Sequence, residues 1–255
     1  MRRLVCLAAV LAVAACGAAR ADDQADLRKV IDKAIKATGG EENLAKYKAE
    51  SFKMKGKFYG MGDEGIEYSG EWQVQRPDKF RVQVDGEVGG QKVNFFTQVV
   101  NGNKVWRKGF NEETQEVTDK DDLTEIKEQF NAREVESLLP LVKGKEYQLA
   151  SLGDVKVNDK PAVGIRVSRK GFRDVNLFFD KDKGLLVKSE TVVKDQMTGG
   201  QEVTQETLYS DYKEAHGIQR PMKLVINRDG KKYLDVEVTE IDPQEKLDES
   251  LFGKP

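Results

Sequence analysis

Cysteine and histidine are almost missing from this 255-residue chain, and their scarcity excludes several kinds of chemistry. The two cysteines, Cys6 and Cys16, lie near the amino terminus, and His216 is the only histidine. The rest of the chain therefore has no thiol for a disulfide framework, a thiolate zinc site, an iron–sulfur cluster or a cysteine nucleophile. A single histidine also excludes a multi-histidine metal site, so the sequence predicts neither a metal nor a cofactor.

A charge excess and a long apolar segment are also absent. The chain has 42 Lys and Arg against 44 Asp and Glu, so it lacks the strongly basic face that nucleic-acid binding requires. No apolar run after residue 21 is long enough to predict a membrane-spanning helix. No linker rich in Pro, Ser or Gly divides the chain, and we expect residues 22–255 to form a single domain.

The first 21 residues have the order of a secretory signal peptide. A basic start at residues 1–3 is followed by an apolar segment at 4–15 and by an Ala-Arg-Ala cleavage signal at 19–21. We therefore expect removal of this segment on export across the inner membrane, which would leave a periplasmic protein. Residues 13–16 support an alternative, in which cleavage precedes Cys16 and this cysteine is lipidated and anchors the chain.

The next part of the chain changes from a helical period to a period of two. Residues 23–38 predict an amphipathic helix, capped by Asp22 or Asp23 and ended by Gly39 and Gly40. Its apolar stripe consists of Leu27, Val30, Ile31, Ala34 and Ile35. From about residue 49, apolar and polar residues alternate in successive runs that are separated by turn residues, which predicts antiparallel strands.

A second helical segment interrupts the strands. Residues 119–139 favour one helix or two short ones, ended by Pro140. The patterns together predict a mainly β protein of the α+β type, with about 11–12 antiparallel strands and two helical segments. Because two helices are too few to cover so large a sheet, either the sheet curls around them or part of its apolar face stays accessible to an apolar ligand.

Three motifs are better explained as turns than as sites. Residues 60–65 spell G-x-G-x-x-G, but a predicted strand follows where dinucleotide binding needs a helix. Residues 180–184 begin like a calcium loop but lack the third oxygen ligand and the distal glutamate. His216 lies between two predicted strands, and no nucleophile elbow occurs in the chain. We therefore predict no catalytic residue and expect a protein that is not an enzyme.

Aromatic residues are concentrated in the first half of the predicted sheet. Ordinary core packing and a partly open apolar groove both explain this concentration. For the groove, the candidate ligand-binding residues are Phe52, Phe58, Tyr68, Trp72, Phe80, Phe95, Trp106, Leu123, Ile126 and Phe130.

Residues 70–81, GEWQVQRPDKFR, followed by NGNKVW at 101–106, resemble the LolA-like family of periplasmic lipoprotein carriers and their relatives. Looser similarity extends over residues 153–190 and 212–252. The resemblance implies an incomplete antiparallel β-barrel with helices in its concave mouth and acyl chains bound between them. It also implies that Arg76, which precedes a proline, holds the helical lid through hydrogen bonds to the lid backbone.

The expected function follows from these implications and from the export signal. We expect an extracytoplasmic, non-catalytic binder or carrier of lipid or acylated protein, with acyl chains in an apolar concave groove. The alternative is a regulatory or sensor protein of the cell envelope with the same fold, which would bind a membrane-protein partner. Both functions are compatible with peripheral association with a membrane, and neither involves nucleic acid.

Overall fold

The computed structural model describes residues 24–143 and 145–255 of the chain. The expected signal peptide, Cys16 and the expected caps Asp22 and Asp23 therefore lie outside the described residues. None of the described helices is long and apolar enough to cross a membrane. No group of three or more His, Cys, Asp or Glu side chains in the described part is placed to hold a metal ion.

The described chain contains thirteen strands and four helices. The strands are β1 (Ala49–Phe58), β2 (Ile66–Gln75), β3 (Lys79–Val88), β4 (Gln91–Asn101), β5 (Lys104–Gly109), β6 (Gln115–Glu116), β7 (Tyr147–Val157), β8 (Lys160–Arg169), β9 (Val175–Asp180), β10 (Leu186–Asp195), β11 (Gln201–Ala215), β12 (Ile218–Arg228) and β13 (Lys231–Gln244). The helices are α1 (residues 24–38), α2 (Gly40–Lys46), α3 (Lys120–Glu136) and α4 (Leu139–Lys143).

All thirteen strands form one antiparallel sheet that is not closed into a full barrel. Its order is β6-β5-β4-β3-β2-β1-β13-β12-β11-β10-β9-β8-β7, so two meanders meet where β1 pairs with β13. The strands β6 and β7 form the two edges, and α3 and α4 connect them. The predicted fold class is confirmed, with one or two strands more than the alternation indicated.

The helical segments follow the sequence prediction, except at Pro140. Gly39 and Gly40 have φ values of 135° and 85° and end α1, as predicted, because such values favour glycine. The prediction that Pro140 ends the second segment is wrong. The helix α3 ends at Glu136, and Pro140 is the second residue of α4, where a missing N–H group is tolerated.

The predicted turns are confirmed as turns. Residues 60–65 connect β1 and β2, and residues 180–184 connect β9 and β10. Asp229 and Gly230, both with positive φ, join β12 to β13 as a type I′ hairpin requires. His216 is exposed in the turn between β11 and β12, with its Nδ1 atom 3.1 Å from the carbonyl oxygen of Pro243.

Two packing layers leave the middle of the concave face thinly covered. The apolar stripe of α1 is buried against β7, β8, β9 and β10, where Ile31 is 1% exposed. The first half of α3 packs on β3, β4 and β5 through Ile126. Between these layers lie the central strands β1, β2, β12 and β13, whose side chains form a separate cluster around Met54 and Val236.

Candidate functional site

A cavity of about 400 Å³ lies between the second half of α3 and the central strands. Its volume falls within the range of small-ligand pockets. The apolar residues of the central strands that line it are Phe52, Val74, Trp72, Leu224, Ile226, Leu234, Val236, Val238 and Ile241.

Strand geometry explains why these side chains converge. Alternate residues of a strand face the same side, so Trp72 and Val74 of β2 reach the cavity together, as do Leu224 and Ile226 of β12, and Arg76 follows directly after β2. The β1–β13 pairing shifts register between Lys53 and Met54, which leaves one extra residue on β13. This β-bulge allows Val238 and Ile241, three residues apart, both to line the cavity.

A buried ion cluster forms the polar end of the cavity. Arg220 Nε donates to Glu50 Oε2 at 2.8 Å, and Arg76 Nη2 donates to Glu50 Oε1 at 3.2 Å. Burial alone would raise the pKa of the Glu50 carboxyl, but the charges and hydrogen bonds of Arg220 and Arg76 outweigh burial and lower this pKa to about 2. Glu50 is therefore a fixed anion that positions both guanidinium groups.

The end of α3 closes the cavity with charged side chains. Arg76 Nε lies 3.4 Å from Glu134 Oε1, and Ser189 Oγ donates to Glu136 Oε1 at 2.7 Å. Burial raises the pKa of the Glu136 carboxyl, while hydrogen bonds from Ser189 and Tyr209 oppose this rise. Arg133, which directly precedes Glu134 in the sequence, stacks with its guanidinium carbon 4.3 Å from the centre of the Phe80 ring.

Polar contacts also hold the first half of α3 to both sides of the sheet. On the β5 side, Arg107 Nη1 pairs with Asp122 Oδ2 at 2.7 Å. On the other side, Arg173 Nη1, in the loop after β8, pairs with Glu125 Oε2 at 2.7 Å. These ion pairs add to the apolar packing of Ile126 and Val135, which are buried in the core on the two sides of α3.

A second cavity, of about 780 Å³, lies where α3 passes between the two edges of the sheet. Leu123, Ile126 and Phe130 of α3 line it on one side. Tyr147 and Arg169 line it on the other, with the Arg169 guanidinium 5.4 Å from the centre of the Tyr147 ring. This cavity is more polar than the first, and Phe130 lines both cavities.

The structure brings six of the ten predicted ligand-binding residues to the two cavities. Phe52, Trp72, Phe80 and Phe130 line the first cavity, and Leu123 and Ile126 line the second. The rings form a chain of edge contacts across the sheet and the helix. The centres of Phe52 and Trp72 are 5.2 Å apart, and those of Phe80 and Phe130 are 6.0 Å apart.

The other four predicted residues line neither cavity. Phe58 packs edge-on against Tyr233, and Tyr68 is buried with its hydroxyl donating to the Asp235 carbonyl oxygen. Phe95 falls where the β3–β4 pairing skips a residue, so Phe96 takes the core position opposite Val84, and Phe95 contacts Phe110. Trp106 lies on the opposite face, against Phe252 and Leu247, because Val105 takes the concave position.

Sequence reasoning missed the contribution of the C-terminal meander. Residues of β12 and β13 form much of the apolar wall, and Ser189, Tyr209 and Tyr212 add polar groups. The alternation Leu224-Ile226 and Leu234-Val236-Val238 already marks these apolar faces in the sequence. The aromatic residues therefore mark only part of the cavity wall, and aliphatic residues of β12 and β13 form much of the rest.

Comparison with known proteins identifies the fold. No family model and no curated protein matches the chain. Solved structures do match. A LolA superfamily protein from Nitrosomonas europaea has a TM-score of 0.55 and 9% identity, with 89% of this chain and 97% of that chain covered. A DUF1329 family protein from Desulfovibrio piger has a TM-score of 0.59 and 11% identity, with 89% and 96% covered.

A third structure agrees with these two. A putative outer membrane lipoprotein-sorting protein domain from Vibrio parahaemolyticus has a TM-score of 0.51 and 13% identity, with 88% of this chain and 97% of that chain covered. The chain therefore has the open antiparallel half-barrel fold of LolA-like proteins. The resemblance first noticed in residues 70–81 is confirmed as a likeness of fold over most of the chain.

Proposed function

We propose that this protein is an extracytoplasmic, non-catalytic binder or carrier of lipid or acylated protein, with an acyl chain held in the cavity between α3 and the central strands. The observation that carries the proposal is the apolar wall of that cavity, closed on one side by α3, which ion pairs attach to both sides of the sheet. Apolar surface left accessible inside a fold favours an apolar ligand. The lipoprotein-sorting name of one structural neighbour supports this ligand class.

Arg76 is the proposed latch of the α3 lid. Its guanidinium connects Glu50 of β1 to Glu134 of α3, so it joins the sheet to the helix across the polar end of the cavity. The resemblance implied hydrogen bonds from this arginine to the lid backbone, whereas the contact here is with a side chain of the lid. One delocalised guanidinium charge makes both contacts, a hydrogen bond to Glu50 and an ion pair with Glu134.

The proposed location outside the cytoplasm depends on the export signal of residues 1–21. The mass of the mature protein from a bacterial host distinguishes cleavage after Ala21 from lipidation of Cys16. Native mass spectrometry of the same sample should show bound lipid.

A cavity-filling substitution tests the binding site. Ile226→Trp should fill the cavity and abolish uptake of a fluorescent fatty acid, because Ile226 lines the cavity without belonging to a packed core cluster. Val192→Trp is the matched control, since Val192 is 37% exposed and its neighbour Val193 faces the cavity. Uptake should persist in this control. Equal uptake by wild type and Ile226→Trp, or none by wild type, would contradict the proposal.

The latch has its own test. Arg76→Leu should release the fluorescent fatty acid faster, by roughly tenfold, because Glu134 of α3 loses its ion pair with Arg76 and Glu50 keeps only Arg220. Arg81→Leu, which removes an arginine of β3 bonded to Gln83 and Gln73, should leave the release rate unchanged. Identical release rates in both variants would make Arg76 a structural residue only.

A further inference from the structure

The second cavity, where α3 passes between the two edges of the sheet, contains an arginine without a carboxylate partner. Arg169, the last residue of β8, donates one hydrogen bond, from Nη1 to Asn131 Oδ1 at 3.3 Å, and forms no ion pair with any described residue. The ring centres of Tyr147 and Phe172 lie 5.4 Å and 4.8 Å from its guanidinium carbon. The two rings position the guanidinium, and its other N–H donors have no partner in the described part of the chain.

A buried amide lines the same cavity. Asn131 of α3 is 5% exposed, and because its Oδ1 accepts from Arg169, its Nδ2 is the donor left over. This Nδ2 donates to no described residue. It is not one of the fully enclosed unpaired atoms of the described residues, which are Trp72 Nε1 and Arg76 Nε, so it opens into the cavity. Unpaired donors on so buried a side chain are rare, and this one faces a space that a ligand can enter.

The charges around the second cavity favour a ligand with one negative charge. Lys127 of α3 and Asp78 of the turn after β2 also line it, and neither forms an ion pair with a described residue. Glu134, the other carboxylate of the lining, lies 3.4 Å from Arg76 and is already paired. Two cations, Lys127 and Arg169, therefore face one unpaired carboxylate, and a single negative charge on the ligand would balance them.

An apolar wall adjoins these polar groups. It consists of Val100 and Val105 from the sheet and Leu123, Ile126 and Phe130 from α3. The three residues of α3 lie on one face of the helix, since they are spaced by three and four positions. The volume of about 780 Å³ falls within the range of small-ligand pockets. A ligand that matches both parts has an anionic group and a compact apolar body.

We propose that the second cavity binds a small organic carboxylate with an apolar ring, with its carboxylate accepting from Arg169 and from Asn131 Nδ2 and its ring against α3. A guanidinium presents parallel donors that match the two oxygens of a carboxylate. Arg169, Asn131 and Lys127 line the second cavity and not the first. The inference therefore goes beyond the proposed function and does not depend on it.

The test compares two fluorescent probes of matched shape, 2-naphthoate and the neutral 2-naphthamide. The wild type should bind 2-naphthoate about tenfold more tightly, because hydrogen bonds to a charged group are the stronger ones. Arg169→Gln removes the cation and keeps a polar side chain, so the two probes should bind it equally. The matched control is Arg166→Gln, on the same strand but lining neither cavity, which should keep the wild-type preference.

Two further variants cover the case in which Arg169→Gln does not fold. Lys127 is exposed, so Lys127→Gln should fold normally and bind 2-naphthoate about twofold more weakly, with unchanged affinity for 2-naphthamide. Ile226→Trp fills the first cavity and should bind 2-naphthoate as the wild type does. Equal affinities of the wild type for both probes, or loss of 2-naphthoate binding in Ile226→Trp, would overturn the inference. Neither result would affect the proposed function, which uptake of the fluorescent fatty acid tests separately.

Discussion

At the scale of the residue, Glu50 shows how burial and charge act against each other in this protein. Its side chain is 10% exposed and lies between Arg76 and Arg220. The two arginines lower the pKa of its carboxyl to about 2, from an ordinary value of 4.5. A depressed pKa means that the folded state prefers the ionised carboxylate more strongly than the unfolded chain does.

The lowered pKa predicts a stability loss in acid. The contribution of Glu50, on the order of 3 kcal/mol, should be fully present above pH 4.5 and should disappear as the pH falls from 4.5 to about 2. Urea unfolding at pH 6 and pH 2.5 measures this loss of stability. In Glu50→Gln the loss should be about 3 kcal/mol smaller than in the wild type. Glu240→Gln, at an exposed ion pair with Lys53, is the control and should keep the wild-type loss. Equal losses in all three proteins would show that the cluster does not couple to folding.

At the scale of the element, the sequence predicts that α3 is a helix but does not predict which strands its side chains contact. Its start was readable, because Asp119 accepts hydrogen bonds from the N–H groups of Asp121 and Asp122 as an N-cap does. From the sequence alone, its many charged residues indicate only a surface that is exposed to solvent. In the structure, several of these charges point inward and pair with residues of distant strands, such as Glu125 with Arg173, and no local pattern encodes such pairs.

Removing Arg173 should loosen the lid from one side of the sheet. Its side chain bonds Glu125 and Glu202, and Glu125 is only 4% exposed, so Arg173→Ala leaves a buried carboxylate without its cation. Amide hydrogens of α3 should exchange roughly ten times faster, while those of β1 and β2 should not change. Arg166→Ala, which removes an exposed pair at 3.8 Å with Asp174, is the matched control. Unchanged exchange in Arg173→Ala would mean that apolar packing alone holds the helix.

At the scale of the whole molecule, the sequence predicted the class of fold better than the site. Alternation and hairpin residues mark nearly every strand, because side-chain direction and turn conformation are local properties. The pairing of β1 with β13 is not local, since it joins residues almost 200 positions apart, such as Ala49 and Gln244. Without that pairing, the apolar faces of β12 and β13 could not be assigned to the same cavity as Trp72.

The β1–β13 pairing is also the only connection between the two meanders within the sheet of the described chain. It includes Gly56, opposite Val236, and a Cβ atom at this glycine would overlap the carbonyl oxygen of Asp235. Gly56→Ala should therefore lower the free energy of unfolding by about 3 kcal/mol, because neither backbone can move without disturbing the adjacent strands. Urea unfolding measures this change.

The matched control for Gly56→Ala is Gly253→Ala, where an added Cβ makes an ordinary contact with the Ser250 carbonyl oxygen at 3.4 Å. It should unfold at the wild-type urea concentration. Gly56→Ala should also weaken uptake of the fluorescent fatty acid, because Phe52 of β1 and Val238 of β13 line the same cavity. If Gly56→Ala loses stability yet keeps full uptake, the cavity does not depend on the β1–β13 pairing. Wild-type stability in Gly56→Ala would instead show that the two meanders can shift apart without cost, and the half-barrel would then not behave as a single rigid sheet.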